Sequence, residues 1–178
     1  VRSRGLGDVY KRQLYNLAEL QKDANRYHGL TAIQVQEIAQ SLYEKRLISY
    51  PRTSSRLLPG DVYDTLPPVM EKMLSRKEFR QYAGMVDLAA PQDSIGAQDT
   101  MEHHAIIITG IRPGNMSEKE MQVYRLVAGR MLEAFMAPCR IETTNVEAVC
   151  AAQHFKVEQT RIIEAGWHDV FMCSDMIP

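Results

Sequence analysis

Apolar residues recur at helical spacing in three stretches of the chain, covering residues 16–28, 31–45 and 117–138. Each stretch begins at a residue type that favours helix N-caps, and a Glu or Gln stands three residues later, as in a capping box. The expected caps are Asn16, Thr31 and Ser117. The pattern therefore predicts three amphipathic helices.

Short extended segments separate and follow these helices. Residues 47–50 and 105–109 are short, apolar and β-prone, and Pro51 ends the first of them. Alternating positions over residues 141–151 and 155–165 predict two strands near the C-terminus. The predicted fold class is therefore mainly α, with a β segment at the C-terminal end.

The middle of the chain has a less regular pattern. A helix is expected over residues 61–75, interrupted or kinked at Pro67-Pro68 because proline lacks the N–H that a helix interior needs. Residues 84–99 are rich in Gly, Pro, Gln and Asp and are expected to form a loop. The first two helices, joined at Gly29, form a candidate helix-turn-helix, although helix pairs of this kind are common.

The change from helical to extended pattern near Pro138 predicts a domain boundary. We expect residues 14–138 to form one helical domain and residues 139–178 to begin a β domain, with the chain truncated at both ends. Residues 1–13 have neither helical nor strand periodicity and resemble a translated sequencing adapter. We interpret them as a non-native or disordered leader, outside the fold.

Composition adds few constraints. The formal net charge of −1 gives no global sign of a nucleic-acid binder, so any DNA-binding hypothesis must rest on local features. The three cysteines are widely spaced and form no C-x-x-C pair, which argues against a zinc site or a disulfide framework. No apolar run approaches the roughly 18 residues of a membrane span, so a cytoplasmic location is expected.

Tyr50-Pro51-Arg52-Thr53 and the nearby Arg56 carry candidate chemistry. A tyrosine hydroxyl needs nearby positive charge to attack a phosphodiester, because that charge favours phenolate and neutralises the charge that builds on the phosphate. The hydroxyl of Thr53 suits phosphate oxygens, and Thr53 and Arg56 are the candidate phosphate ligands of this block. The alternative interpretation is a surface loop whose tyrosine covers the core and whose arginines face solvent.

The pair His103-His104 is the second candidate. Adjacent residues of an extended segment point to opposite faces, so the two imidazoles are poor ligands for one metal ion. One of them has the chemistry to donate a hydrogen bond to a phosphate. An ordinary pair of histidines at a strand edge is the alternative.

Four sequence blocks stand in a fixed order along the chain. They are Leu14-Tyr15-Asn16-Leu17-Ala18-Glu19-Leu20-Gln21, Ala39-Gln40-Ser41-Leu42-Tyr43-Glu44-Lys45, Leu47-Ile48-Ser49-Tyr50-Pro51-Arg52-Thr53-Ser54-Ser55-Arg56 and His103-His104-Ala105-Ile106-Ile107. Together they resemble bacterial type IA DNA topoisomerases, most closely the topoisomerase III branch. The resemblance covers residues 14–171.

The resemblance implies roles for single residues. Tyr50 takes the position of the nucleophile, which forms a 5′-phosphotyrosyl bond, holds the broken strand during strand passage and reseals it without ATP. Arg52 takes the position of an arginine that stabilises the phosphate and positions the tyrosine. His103 matches a histidine that contacts the phosphate backbone, and Thr109 matches the hydroxyl that closes the same motif. The helix pair would belong to a mobile, winged-helix-like domain.

The chain departs from the family pattern at two positions. Ser54 stands where many members have Asp, which puts an acid role there in doubt. Ile108 stands where the branch usually has Pro before Thr109. That change is expected to affect only the local loop.

The resemblance also implies a cofactor and partners. The substrates would be single-stranded DNA and negatively supercoiled DNA, in a cytoplasmic, nucleoid-associated setting without a membrane. Mg²⁺ would be bound by a toprim domain with a Glu and an Asp-x-Asp pair, and the sequence contains no such block. We therefore expect no metal ligands in this chain, toprim and arch domains as its partners, and no relaxation of supercoiled DNA by the chain alone.

Two other classes of protein remain as alternatives. A non-catalytic winged-helix regulator would account for residues 16–49 but not for the tyrosine and histidine blocks. A tyrosine recombinase would need an Arg-His-x-x-Arg cluster before a C-terminal tyrosine, whereas Tyr50 comes early in this chain.

Overall fold

The computed structural model describes residues 2–9, 12–88, 103–151 and 153–172. Its elements in chain order are β1 (Arg2–Val9), α1 (Leu17–His28), α2 (Ala32–Glu44), α3 (Gly60–Tyr63), α4 (Leu66–Leu74), α5 (Glu118–Ala134), β2 (Cys139–Cys150), β3 (Gln153–Glu164) and α6 (Asp169–Met172). Short 3₁₀ turns also occur at Arg80–Tyr82 and Gly166–His168.

Helices α1 and α2 begin at the predicted caps. The Asn16 side chain accepts the N–H of Glu19 at 2.9 Å, and α1 ends at Gly29, whose φ of 65° is left-handed. At the start of α2, Thr31 and Gln34 each accept the other's backbone N–H, which forms the complete capping box. Both helix predictions are confirmed.

Helix α5 is the centre of the molecule. Ser117 and Glu120 form the predicted capping box, and the helix ends at Ala134, four residues before the predicted stop at Pro138. Its buried residues lie on nearly every side, because α1 and α2 pack against it and the segment around the 3₁₀ turn Gly166–His168 covers its C-terminal half. The hydrophobic core is therefore built around this helix.

The predicted helix over residues 61–75 is two helices. The chain breaks at Asp64 and Thr65, between α3 and α4, and the prolines lie in the first turn of α4. The first N–H groups of a helix have no intrahelical acceptor, so Pro67 and Pro68 start α4 rather than interrupt it. The expected loop at residues 84–99 lies outside the described residues beyond Leu88.

The three strands form one antiparallel sheet in the order β1-β2-β3. Strands β2 and β3 confirm the predicted β segment at the C-terminal end, and helices are the main regular structure before it. Strand β3 is exposed along its whole length, and ion pairs such as Arg161 with Glu142, at 2.9 Å, link it to β2.

Residues 1–13 show no strand periodicity in sequence, and yet Arg2–Val9 form strand β1. The strand pairs with β2 from Arg2 opposite Val146 to Val9 opposite Cys139. Gly5 and Gly7 remove the side-chain alternation that marks a strand in sequence, whereas main-chain hydrogen bonding to β2 requires no such alternation.

The division of the chain into a leader, a helical domain over residues 14–138 and a β domain stays a prediction, as does the winged-helix-like assignment. Helices α1 and α2 are packed together as the helix-pair pattern indicated. In the described ranges no helix is long and apolar enough to cross a membrane.

Candidate active site around Tyr50

Isolated β-bridges bring distant segments of the chain together beneath Tyr50. Ile48 pairs with Ile108, and Tyr15 pairs with Ile106, both antiparallel. All four side chains are buried in the core, which fixes the register of these short segments. The segment before Tyr50 therefore lies beside the segment after His103.

Ser49 joins these two segments by three hydrogen bonds. Its N–H donates to the carbonyl oxygen of Ile107 at 2.8 Å, and its hydroxyl donates to the carbonyl oxygen of Ala105 at 3.1 Å. The same hydroxyl accepts the N–H of Ile107 at 3.0 Å. The hydroxyl directly before the candidate nucleophile is thus engaged within the protein, as donor and as acceptor. Sequence reasoning had not singled out Ser49.

Thr53 makes the matching connection on the other side of Tyr50. Its hydroxyl donates to the carbonyl oxygen of His103 at 3.2 Å and accepts the N–H of Ser55 at 3.0 Å. The residue is buried, with 8% of its surface exposed. Thr53 was predicted as a phosphate ligand, and in the structure its hydroxyl bonds these two backbone groups.

Tyr50 lies between two aromatic rings. Its ring centroid is 4.5 Å from that of His103, with the planes tilted by 50°, and 5.4 Å from that of Tyr43 in an edge-to-face arrangement. Tyr50 is half-buried, whereas His103 and Arg52 are exposed. The structure thus joins Tyr50 and His103, which are 53 residues apart, and leaves Arg52 exposed two residues after Tyr50.

The N-terminus of α1 holds the loop that follows Tyr50. The N–H of Leu17 donates to the carbonyl oxygen of Thr53 at 3.1 Å. The side-chain N–H of Asn16 donates to the carbonyl oxygen of Ser54 at 3.0 Å. The capping role of Asn16 was predicted from sequence, but this second role depends on a residue 38 positions away and has no local signal.

Arg56 is directed towards α1. Its Nη2 lies 3.0 Å from Oε1 of Glu19, which Lys22 also contacts at 2.6 Å. Arg56 lines a cavity of about 350 Å³ together with Asp23, Arg130 and four other residues. The structure does not bring Arg56 into contact with the Tyr50 and His103 rings.

Thr109 lies at the C-terminal end of α2. Its hydroxyl donates to the carbonyl oxygen of Arg46 at 2.5 Å, and its N–H donates to that of Leu47 at 3.1 Å. It lines a cavity of about 490 Å³ that also includes Ser49 and His104. Thr109 therefore bonds the turn that follows α2.

A buried charged cluster lies behind the α1 end of the site. Asp23 accepts hydrogen bonds from Tyr15 at 2.6 Å and from Arg130 at 2.5 Å, and the Arg130 guanidinium lies 4.0 Å over the Tyr15 ring. Burial raises the pKa of Tyr15 well above its ordinary value. This tyrosine is therefore neutral and structural.

Glu133 lies one turn after Arg130 on α5. Burial raises the pKa of its carboxyl group to about 8. Arg130 Nε lies 2.9 Å from Glu133 Oε2, but neither carboxylate oxygen has an aligned hydrogen bond among the described residues. The loss of solvation therefore outweighs the attraction of the guanidinium.

The described residues contain no group of three or more His, Cys, Asp or Glu side chains that could hold a metal ion. In the cavity that Arg56 lines, the carboxylates of Glu19 and Asp23 are already paired with arginine or lysine. The side chains on this part of the chain do not fit a Mg²⁺ site, which takes free carboxylate and water oxygens.

Comparison with known proteins gives the family. A family model described as DNA topoisomerase matches residues 3–176, which include most of the expected leader. DNA topoisomerase 1 of Methanocaldococcus jannaschii is 34% identical over 157 residues, which cover 88% of this chain and 20% of that protein. DNA topoisomerase 3 of Bacillus licheniformis is 34% identical over 168 residues, covering 91% of this chain and 23% of that protein. DNA topoisomerase 3 of Bacillus subtilis is 32% identical over 164 residues, which cover 89% of this chain and 22% of that protein.

The fold agrees with these sequence matches. Full-length topoisomerase I from Thermotoga maritima superposes with a TM-score of 0.68 over 96% of this chain and 29% of that chain, at 18% identity. The chain therefore belongs to the DNA topoisomerase family, as its four sequence blocks indicated. It spans about a fifth to a quarter of the length of the curated relatives quoted above.

Proposed function

We propose that this chain is the tyrosine-bearing part of a type IA DNA topoisomerase and that Tyr50 is its nucleophile. The observation that carries the proposal is the contact between the rings of Tyr50 and His103, at 4.5 Å. Two residues of the predicted site meet there at the protein surface, although 53 positions separate them.

The proposed reaction exchanges one phosphodiester for another. The Tyr50 oxygen attacks a backbone phosphorus, the new bond joins the tyrosine to the 5′-phosphate, and the bond from phosphorus to the 3′-oxygen breaks. The tyrosine gives up its proton and the departing 3′-oxygen takes one up. Reversal of these steps reseals the strand, and the energy of the phosphodiester is kept in the phosphotyrosine, so ATP is not required.

Arg52 and His103 have the chemistry to assist this exchange. Arg52 is exposed two residues from the nucleophile, where its guanidinium can pair with phosphate oxygens. His103 is exposed beside the Tyr50 ring and can donate from its imidazole to the same phosphate or its neighbour. Thr53 and Ser49 act indirectly, by holding the two segments together.

Mg²⁺ belongs to this proposal through the rest of the protein. The side chains described here do not fit a magnesium site, so we assign the metal to a toprim domain that would pack against Tyr50. An arch domain would continue from β2 and β3. Single-stranded and negatively supercoiled DNA are the proposed substrates, and we expect the 178-residue chain alone not to relax a supercoiled plasmid.

Covalent trapping with the complete protein tests the proposal. A single-stranded oligonucleotide labelled at its 3′ end should leave its label on the protein, because that fragment carries the 5′-phosphate. The same oligonucleotide labelled at its 5′ end should instead release a labelled fragment with a free 3′-hydroxyl. Tyr50→Phe should abolish trapping.

Tyr43→Phe is the matched control, since Tyr43 contacts the Tyr50 ring and is itself a partly exposed tyrosine. It should retain the labelled adduct. Trapping that persists in Tyr50→Phe, or label transfer from the 5′ end, would show that the nucleophile or the polarity is wrong. A protein that binds the oligonucleotide and never forms an adduct would favour the non-catalytic alternative.

A further inference from the structure

A cavity of about 650 Å³ lies at the far end of the segment that begins with His103. It is formed between the end of α4 and the loop at residues 110–114, with Ile108, Met121 and Tyr124 among its apolar lining. We propose that it binds a backbone phosphate of the same DNA strand that reaches Tyr50. The inference rests on the proposed function and adds a second DNA-binding position to it.

Charge is the first argument. The cavity is lined by four cationic residues and one carboxylate, which are Lys72, Arg76, Lys77, Arg112 and Glu78. Such an excess concentrates positive potential in a concave surface, and phosphate is the anion that Lys and Arg commonly bind in nucleic-acid recognition. The chain as a whole has a net charge of −1, so this local excess is not a reflection of overall composition.

The one carboxylate is neutralised inside the cavity wall. Arg76 pairs with Glu78 and also donates to the hydroxyl of Tyr124 at 2.8 Å. Its guanidinium lies 5.4 Å from the centroid of the Tyr124 ring. These interactions fix Arg76 in the wall and leave the other three cations to set the charge that a ligand meets.

Lys72, Lys77 and Arg112 are exposed, and within the described ranges none of them takes part in an ion pair. The nearby carbonyl groups at the end of α4 would repel an anion if they were free. The hydroxyl of Ser75 donates to the carbonyl oxygen of Lys72 at 2.8 Å, and Arg80 donates to that of Ser75 at 3.2 Å. The two carbonyls therefore have partners already.

The loop that carries Arg112 is held in place. Gly110 has a φ of 77°, and a Cβ there would lie 3.4 Å from the backbone of Val69, so the loop packs closely on α4. The hydroxyl of Thr109 accepts the N–H of Ile111 at 3.4 Å. Arg112 is thus presented to the cavity from an anchored loop.

The spacing fits one continuous strand. Ile108 lines the cavity, and the five residue steps from His103 to Ile108 span at most about 17 Å when extended. A DNA strand advances about 3.4 Å per phosphate along a duplex axis. A strand of no more than about five nucleotides would therefore connect the Tyr50 site to the cavity.

Length-dependent DNA binding by the 178-residue chain tests the inference. We would measure the anisotropy of fluorescent oligodeoxythymidine of 4 and of 12 nucleotides over a range of salt concentrations. The double variant Lys72→Gln, Arg112→Gln should bind the 12-mer severalfold more weakly, and its log–log salt slope should be shallower by about 0.7 for each phosphate that the variant no longer neutralises. Binding of the 4-mer to the Tyr50 site should be unchanged.

Lys119→Gln is the matched control, because Lys119 is exposed on the first turn of α5 and does not line the cavity. Thermal melting checks that all variants fold. An unchanged 12-mer affinity, or equal losses for both lengths, would overturn the inference. A third outcome would also overturn it. If the cavity residues are needed for binding of millimolar inorganic phosphate but not for binding of the 12-mer, the cavity holds free anions only.

His103→Ala separates this inference from the proposed function. It should weaken binding of both oligonucleotides, because both reach the Tyr50 site. If His103→Ala has no effect on either length while the cavity variant still weakens the 12-mer, the Tyr50 assignment fails and the phosphate cavity stands. If only His103→Ala weakens binding, the phosphate cavity fails and the Tyr50 assignment stands.

Discussion

The hydroxyl of Thr53 donates a hydrogen bond of 3.2 Å to the carbonyl oxygen of His103, 50 residues further along the chain. This bond lies behind the contact between the Tyr50 and His103 rings. The Thr53 hydroxyl therefore links the two segments that carry the candidate site. The geometry of the proposed nucleophile then depends on the hydrogen bonds of the Thr53 side chain.

Replacing Thr53 by Val should separate the two rings while leaving the fold intact. The change removes one hydrogen bond to His103 and one from Ser55, and we expect a decrease of about 1–3 kcal/mol in the free energy of unfolding. NOE signals between the ring protons of Tyr50 and His103 should weaken or disappear. In the complete protein, the rate of adduct formation should fall more than DNA affinity.

Thr53→Ser is the control, because it keeps the hydroxyl and removes only a methyl group. It should restore both the NOE signals and the trapping rate. If Thr53 contacts phosphate directly, Thr53→Val would instead lower DNA affinity and leave the NOE signals unchanged.

Ser49→Ala should have a similar effect from the other side of Tyr50. The hydroxyl of Ser49 donates to the carbonyl oxygen of Ala105 and accepts the N–H of Ile107. The substitution removes both of these partly buried hydrogen bonds. We expect a destabilisation of about 1–3 kcal/mol in urea unfolding. Combined with Thr53→Val, the two effects should not add, because both residues hold the same pair of segments. Strict additivity would mean that the two connections act independently.

The sequence predicted those features that depend on neighbours along the chain. Asn16, Thr31 and Ser117 cap helices through residues three positions away, and all three caps were recognised. Features that depend on distant partners were missed. The hydrogen bond from Thr53 to the carbonyl oxygen of His103 joins residues 50 positions apart, and no local pattern shows it.

Strand β1 and α4 show the same limit. Gly5 and Gly7 give no alternation, and the strand is defined only by its pairing with β2. Pro67-Pro68 predicted a break in the helix but not whether the break lies before or after the prolines. Proline is compatible with the first turn of a helix and incompatible with its interior. For the candidate site, the family resemblance supplied Tyr50 and His103, and the structure supplied their contact.

The clasp between α2 and α5, formed by Glu120 with Lys45 and Ser41, should weaken in acid. Glu120 accepts hydrogen bonds from Lys45 at 2.5 Å and Ser41 at 2.7 Å, and these, with the first as the larger cause, lower its pKa to about 2. A carboxyl pKa that is lower in the folded state stabilises the protein above the unfolded-state pKa near 4.5, and this stability is lost as pH falls towards 2.

The contribution should be about 1–2 kcal/mol, since the partly exposed Lys45 ammonium is screened by solvent. Urea unfolding between pH 2 and pH 6 measures it. Glu120→Gln should be less stable at pH 6 and should show a smaller decline in acid. An unchanged pH profile in this variant would mean that the clasp does not contribute to stability.

Glu133 should produce the opposite dependence on pH. Its folded-state pKa is raised to about 8 by burial, so the unfolded chain ionises first and the folded state binds the additional proton. Stability from this group is therefore full below pH 4.5 and declines as pH rises to about 8, by up to roughly 1.4 kcal/mol per pH unit. Glu133→Gln should flatten the profile in this range. A profile that keeps its slope would show that Glu133 is ionised beside Arg130.

Arg56 was predicted as a phosphate ligand. Because it pairs with Glu19, one variant should weaken DNA binding and another should strengthen it. The Arg56 side chain is 41% exposed, and such a surface pair contributes little to stability, so a phosphate can compete for the guanidinium. Arg56→Gln should weaken binding of single-stranded DNA and make its log–log salt slope shallower by about 0.7. Glu19→Gln should strengthen binding, because it releases Arg56 from its partner.

The matched control for Arg56→Gln is Arg161→Gln, because Arg161 is an exposed arginine paired with a glutamate on the sheet, at 2.9 Å. It should leave DNA affinity unchanged. Fluorescence anisotropy with one oligonucleotide at several salt concentrations measures all three variants. If Arg56 serves only to hold Glu19, both Arg56→Gln and Glu19→Gln would change the melting temperature slightly and neither would change the salt slope. Opposite changes in affinity from the two variants are expected only if DNA and Glu19 compete for the same guanidinium.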